Sequence, residues 1–260
     1  MRILTDLIVI LPLLSTPLWA QSITVWWARS FDETHFLATE GLVRAQYSLG
    51  VMYYKGEGVP ENAAEAVKWW RKAAERGYAK AQYGLGYMYN NGEGVPTNDA
   101  EAVKWVSKAA QQGLARAQYN LGLMYSIGKG VPTNGAEAVK WYRKAAGQGY
   151  AKAQNNLGVM YANGEGVPRD YAEAVKWYRM AAKQGNDRAQ HELGLMYRDG
   201  VGVVRNYRRA HMWYNIAASQ GDDFASTGMT FLETQMTPGQ IDDARKMATR
   251  CLESGYKACN

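Results

Sequence analysis

From Ala45 onward, apolar positions recur with a helical period. Ala45, Leu49, Met52 and Tyr53 fall at i, i+4, i+7 and i+8, one face of an α-helix. Gly56 follows that face, where a left-handed residue ends a helix. Val59 and Pro60 form a short connector. A second helix opens at Asn62 with Glu65 three residues on, a capping-box-like start in which the Asn side chain accepts from orphan backbone N–H groups. Ala66, Trp69 and Ala73 then share a face, and Gly77 ends the run. The short connector predicts an antiparallel helix pair.

The whole pattern returns every 36 residues without insertion. AQYSLGVMYYKGEGVP begins at Ala45, AQYGLGYMYNNGEGVP at Ala81 and AQYNLGLMYSIGKGVP at Ala117. AQNNLGVMYANGEGVP follows at Ala153 and AQHELGLMYRDGVGVV at Ala189. The capping pairs recur at Asn98/Glu101, Asn134/Glu137 and Asp170/Glu173. Five units are therefore expected over 45–80, 81–116, 117–152, 153–188 and 189–224. Residues 21–44 read as a degenerate N-terminal cap, because LATEGLVRAQ echoes the repeat ending AAERGYAKAQ. Residues 225–260 read as an eroded unit and a capping helix opened by Thr237-Pro238-Gly239-Gln240. Most of the 27 Gly fall at positions represented by Gly50, Gly56, Gly58 and Gly77, which points to recurring turns and not to low complexity. A single pair cannot hide its apolar face, so stacked pairs bury one another's. The expected fold is an all-α solenoid with the Trp69, Trp105, Trp141, Trp177, Trp213 ladder as its spine.

The pattern Ala-x-x-x-Leu-Gly-x-x-Tyr-x-x-Gly-x-Gly-Val, followed by Ala-x-x-Trp-x-x-x-Ala-Ala-x-x-Gly, resembles the Sel-one-like repeat (SLR), a relative of the tetratricopeptide repeat. The resemblance implies a right-handed superhelix of helix pairs that binds other proteins, commonly in bacterial envelopes or at host contacts. Similar tetratricopeptide arrays line their concave side with the first helix of each pair.

Positions identical between copies are those that stacking requires; the varying ones are free for something else. On the first helices the varying positions trace the face opposite the fixed one. They place Tyr47 and Tyr54 in the first copy, Tyr83, Tyr87, Asn90 and Asn91 in the second, and Tyr119, Asn120 and Leu123 in the third. Asn155, Asn156 and His191 follow in the fourth and fifth. A basic residue precedes each copy, at Arg44, Lys80, Arg116, Lys152 and Arg188. Tyrosines and amides suit recognition of an extended peptide, and the basic series suits acidic side chains of a partner. A protein or peptide on the concave face is the expected partner; a neutral solvated face is the plain alternative.

Met1 to Ala20 has a basic start, an apolar run and a small residue at its end, the layout of a signal peptide cut before Gln21. Export is expected, to a periplasm first and to the surface or medium second, with no stable membrane insertion afterwards. The net charge of +6 does not suggest nucleic acid, since the basic residues are spread through every repeat. Cys251 and Cys259, eight apart, would close a loop worth about 2–3 kcal/mol in an oxidising compartment; two free thiols are the alternative. Cysteine-rich relatives of the resembled family also bridge Cys eight apart.

Catalytic chemistry finds little footing. Of the three His, His191 and His211 belong to different helices, and His191-Glu192 lacks the second His of a zincin. The GEGVP loops lack the Gly-Lys-Ser/Thr of a phosphate loop, and no Gly-x-Ser-x-Gly elbow occurs. No catalytic, metal or cofactor residue is assigned. The expected function is an envelope scaffold or adaptor. The alternatives are a secreted or surface-displayed host-protein binder and, more remotely, a cell-wall-active or β-lactam-binding enzyme.

Overall fold

The computed structural model describes residues 30–259; the leader expected over 1–20 and the beginning of the expected cap lie outside the described residues. Among the described residues the elements are helices, with no strand. Helix α1 (Phe31–Thr39) stands where the second helix of a preceding unit would stand. Five pairs follow: α2 (Val43–Lys55) with α3 (Ala63–Glu75), α4 (Ala79–Asn91) with α5 (Asp99–Gln111), and α6 (Ala115–Ile127) with α7 (Gly135–Gly147). Next come α8 (Ala151–Asn163) with α9 (Tyr171–Ala182), and α10 (Asp187–Asp199) with α11 (Tyr207–Ala218). Helix α12 (Asp223–Glu233) is a further first helix, and α13 (Pro238–Glu253) folds back onto α11. Contacts run mainly between helices adjacent in sequence, as a solenoid requires.

Local chemistry sets the element ends. Gly56 and its equivalents end the first helices in the left-handed conformation, with the Gly56 N–H donating to the Met52 carbonyl. The side chains of Asn62, Asn98, Asn134, Asp170 and Asn206 each accept from the backbone N–H three residues on, at 3.0 Å. The reciprocal half of the box is missing there. The backbone N–H of each cap donates instead to Tyr53, Tyr89, Tyr125, Tyr161 or Tyr197, which closes the hairpin. Glu65, Glu101, Glu137 and Glu173 are thereby left to pair with the lysine three residues on. Helix α13 carries a complete capping box, between Thr237 and Gln240. The first helices start at Val43 and its equivalents, two residues before the Ala-Gln motif. Leu42, Tyr78, Leu114 and Tyr150 give them no side-chain cap that would mark the start.

Two ladders of large side chains, aromatic at every position but Val106, hold the stack. Trp69, Trp105, Trp141 and Trp213 are buried within their pairs, while Trp177 is half-buried. The second ladder is Trp70, Val106, Tyr142, Tyr178 and Tyr214, and it is buried throughout. Its members press on glycines in the middle of the first helices. A Cβ on Gly158 would lie 2.7 Å from the Tyr178 ring, and one on Gly122 2.7 Å from that of Tyr142. The opposite flank of the Tyr214 ring meets Gly228 on α12, so this ladder wedges between consecutive first helices. Gly50 and its equivalents therefore serve close approach and not a turn, a correction to the reading of the glycine pattern.

A chain of buried amides ties the repeats together. Gln82, Gln118, Gln154 and Gln190 are buried, and each Nε2 donates to a last-turn carbonyl of the preceding second helix, at 3.0–3.2 Å. Their Oε1 atoms accept from Gln112, Gln148, Gln184 and Gln220 at 2.6–2.7 Å. One side chain thus bridges three helices and satisfies carbonyls that a helix end leaves open. The first copy breaks the chain. Arg76 stands in the place of Gln112, donates to the Gly41 carbonyl, and leaves Oε1 of Gln46 buried without a partner.

Candidate functional site

The varying residues of the first helices come together on one side of the stack, but they are not bare. Tyr47 packs on Trp70 and Tyr78, with ring centroids 6.4 and 5.1 Å away. Tyr119 packs on Tyr142 and Tyr150 at 5.8 and 5.3 Å. Tyr54 lies 5.4 Å from Trp70. Asn120 donates to the Tyr83 hydroxyl at 3.1 Å and Asn156 to the Tyr142 hydroxyl at 3.2 Å. Asn155 is only 6% exposed and so forms the floor of the face without being open to a partner. The expectation that varying positions take no part in stacking is corrected here. Consecutive first helices crowd together on this side, and a large side chain on one reaches its neighbour. Tyr87 and Asn91 are exposed; Asn90 and Leu123 are half-buried.

Burial raises the pKa of the Tyr47, Tyr83, Tyr119 and Tyr142 hydroxyls, and that of Tyr214 is pushed up to about 12. These phenols therefore stay protonated at any physiological pH and can donate hydrogen bonds.

Two cavities lie along this face. One, of about 620 Å³, is shared by α6, α8, α10 and α12 and includes Asn156, Arg188, His191, Glu192, Asp222 and Phe224. The other, of about 930 Å³, follows α2 and includes Arg44, Tyr47, Val51, Lys55, Tyr78 and Lys80. A smaller hollow joins Tyr119, Lys152, Asn156 and Arg188. Of the residues expected from sequence, Tyr47 and Lys80 line the cavity along α2, and Tyr119, Asn155, Asn156, Arg188 and His191 line the other cavity or the hollow, whereas Tyr54, Tyr83, Tyr87, Asn90, Asn91, Arg116, Asn120 and Leu123 line none of the three. Sequence reasoning missed Tyr78, Tyr142, Asp222 and Phe224. Phe224 could have been found, since it occupies the position that is basic in the five repeats. Glu192 belongs to this varying face too, and its carboxyl is raised by burial, partly offset by His191.

Both histidines of the C-terminal half have structural neighbours. His191 Nδ1 lies 2.9 Å from Asp222 Oδ2, outside hydrogen-bonding geometry, and its ring meets Tyr214 edge-on. His211 is fully buried and its Nε2 lies 2.9 Å from Glu233 Oε1, which also accepts from Arg245 at 2.8 Å. Cys251 and Cys259 are joined as a disulfide, with Cα atoms 4.7 Å apart. Among the described residues no group of three or more His, Cys, Asp or Glu is placed to hold a metal ion. No described helix is long and apolar enough to cross a membrane.

The Sel1 repeat model matches residues 43–78, 79–114, 115–150, 151–186 and 187–222, units that begin where the first helices begin. No curated protein matches significantly. Among solved structures the chain is similar to c5321, a protective antigen present in uropathogenic Escherichia coli strains and displaying an SLR fold. The TM-score is 0.78 and the identity 38%, over 88% of this chain and 53% of that one. The chain thus spans about half the length of that protein. It is also similar to a Sel1 repeat protein from Oxalobacter formigenes, with TM-score 0.69 and 36% identity over 82% of this chain and 84% of that one. Five matched units, together with the helix pairs that carry them, place the chain in the Sel1 repeat family, whose members generally mediate protein–protein interactions.

Proposed function

We propose that this chain is a scaffold or adaptor of the bacterial envelope that holds a protein or peptide against the face of its first helices. The observation that supports this reading is the shared cavity of α6, α8, α10 and α12. Side chains from consecutive repeats converge there around open space instead of filling it. Phenols fixed by packing offer rigid area and a donor, and the amides of Asn90, Asn91 and Asn156 can both donate and accept. Repeated carboxylates such as Glu65 are used as ion-pair partners within the scaffold.

Crosslinking in intact cells tests the proposal. The native chain is compared with one in which Asn156, His191, Glu192 and Phe224 of that cavity, together with Tyr87 and Asn90 further along the face, are replaced by Ala. Loss of the crosslinked partner from the variant is expected; the same partners from both chains would end the proposal. A second reading, display or secretion toward a host protein, draws on the likeness to the uropathogenic antigen. It predicts the chain in the medium or at the cell surface, whereas a purely periplasmic pool goes against it. Turnover of muropeptides or β-lactams, abolished by one substitution, would instead mark an enzyme.

A further inference from the structure

The repeating cations of this stack fall into two groups. Lys68, Lys104, Lys140 and Lys176 pair with carboxylates of their own helices. Lys72, Lys108 and Lys144 lie over the indoles of Trp69, Trp105 and Trp141. Arg71, Arg143 and Arg179 donate to the phenols of Tyr89, Tyr161 and Tyr197. Arg44, Lys80, Arg116, Lys152 and Arg188 are different. All five are exposed, they recur once per repeat, and among the described residues none has an ion pair, a hydrogen bond or a ring contact. They also look onto the first-helix face. Arg44 and Lys80 line its first cavity, and Lys152 and Arg188 line the smaller hollow. The charge of Arg116 is felt by the phenols of Tyr47 and Tyr83, and that of Arg188 by the phenol of Tyr119.

We propose that this row binds an extended acidic polypeptide segment laid across the first helices. The inference rests on the binding face proposed above and gives its partner a chemistry. The opposite ends of the same helices argue for a polypeptide over a uniform polyanion. Glu57, Glu93 and Glu165 stand there in three of the five copies, with Lys129 and Val201 in the other two and Glu57 paired with Lys55, about 20 Å from the cations by the rise of a 13-residue helix. A polymer charged on every side would meet these carboxylates, whereas a peptide can turn acids to one edge and neutral backbone to Tyr87, Asn90 and Asn156. With stacked units about 10 Å apart and an extended chain advancing about 3.3 Å per residue, the acids would recur about every third residue.

The test uses the full chain and two labelled peptides, repeats of Gly-Ser-Asp and of Gly-Ser-Asn, read by fluorescence anisotropy. The Asp peptide should bind at least about tenfold tighter, and its affinity should fall several-fold between about 50 and 300 mM salt. The triple variant Lys80→Gln, Arg116→Gln, Lys152→Gln should lose about tenfold. Its control, Lys68→Gln, Lys104→Gln, Lys140→Gln, removes the same net charge and should change affinity by less than about twofold. All these positions are exposed, and a thermal melt checks folding. Equal binding of the two peptides, equal losses in the two triples, or tighter binding of heparin or oligothymidylate would overturn the inference. If the crosslinked partner survives the first triple but is lost from the alanine variant, the binding face stands and the acidic segment falls.

Discussion

The two ends of the stack are finished in different ways. At the C-terminal end, α9, the fifth pair, α12 and α13 share one buried cluster running from Ala174 to Cys259, closed by the Cys251–Cys259 bridge and the His211–Glu233–Arg245 contacts. Among the described residues, the corresponding cluster at the N-terminal end is Ala38, Ala45, Leu49 and Trp69, with Phe31, Leu37 and Tyr53 partly buried against it. The amide chain is also interrupted there, at Gln46. A solenoid's stability is a sum of unit and interface terms, so the weaker end sets where unfolding begins. The comparison predicts fraying from α1 and α2 while the C-terminal units hold.

The largest effect should come from the indoles. Trp213 is 2% exposed in the larger cluster, and Trp213→Ala should cost about 3–5 kcal/mol in urea unfolding. Trp69→Ala should cost less. The loss there is limited to undoing a first pair that is already the least secured, and amide exchange should show the change confined to α1–α3. Equal costs, or exchange spreading evenly along the stack, would remove the asymmetry between the ends.

The next effect belongs to the bridge. Replacing Cys251 and Cys259 by Ser should lower stability by about 2–3 kcal/mol through the freed denatured chain. Exchange protection should fall in α11 and α13 and remain unchanged in α2–α5. A uniform loss would show that the C-terminal cap is not a separate cooperative unit.

Much of this architecture was legible in the sequence, because helix pairs and their stacking follow from apolar spacing and helix-end chemistry. The repeat length, the Asn and Asp caps, the Gly56-type stops and the α13 capping box could all be read that way. Two features escaped because the repeat pattern alone does not assign them. The Ala-Gln motif shows only that Gln82 recurs, yet a second helix ends with open carbonyls, and a buried amide is what reaches them. Gly50 and Gly158 read as turns, yet they sit in mid-helix to admit Trp70 and Tyr178. The cations beside the first-helix face were legible as a row at fixed spacing. The packing of Tyr47 and Tyr119 was not, because it depends on how closely consecutive first helices approach, which no single unit's pattern encodes.

A smaller effect, of opposite sign, comes from the break in the amide chain. Gln148 shows that a glutamine at this position can reach both the preceding repeat's Gly carbonyl, at 2.9 Å, and the buried Gln oxygen, at 2.7 Å. Arg76→Gln should therefore keep the contact to Gly41 and supply the missing donor to Gln46, raising stability by about 0.5–1.5 kcal/mol. The gain should appear as added exchange protection in α1–α3. A neutral or destabilising result would mean that the orphaned oxygen is not what weakens this end.

The smallest effect separates the two ends by pH. The Glu233 carboxyl is held below its ordinary value of 4.5, chiefly by its bond with His211 and further by Arg245, against the opposing pull of burial. A depressed carboxylate stabilises the fold above its ordinary value, and that contribution is lost as pH falls through the lowered one. Acidification below about pH 4.5 should therefore loosen the junction of α11, α12 and α13, while Glu233→Gln, which still accepts from both partners, should titrate less steeply. Subtracting the two curves of melting temperature against pH removes the carboxylates common to both chains, Glu101 and Asp199 among them. The difference should be modest because 28% of the Glu233 side chain faces solvent, where water and salt already screen it. Parallel curves would assign the acid sensitivity of the stack elsewhere and leave the C-terminal end distinguished by its core and its bridge alone.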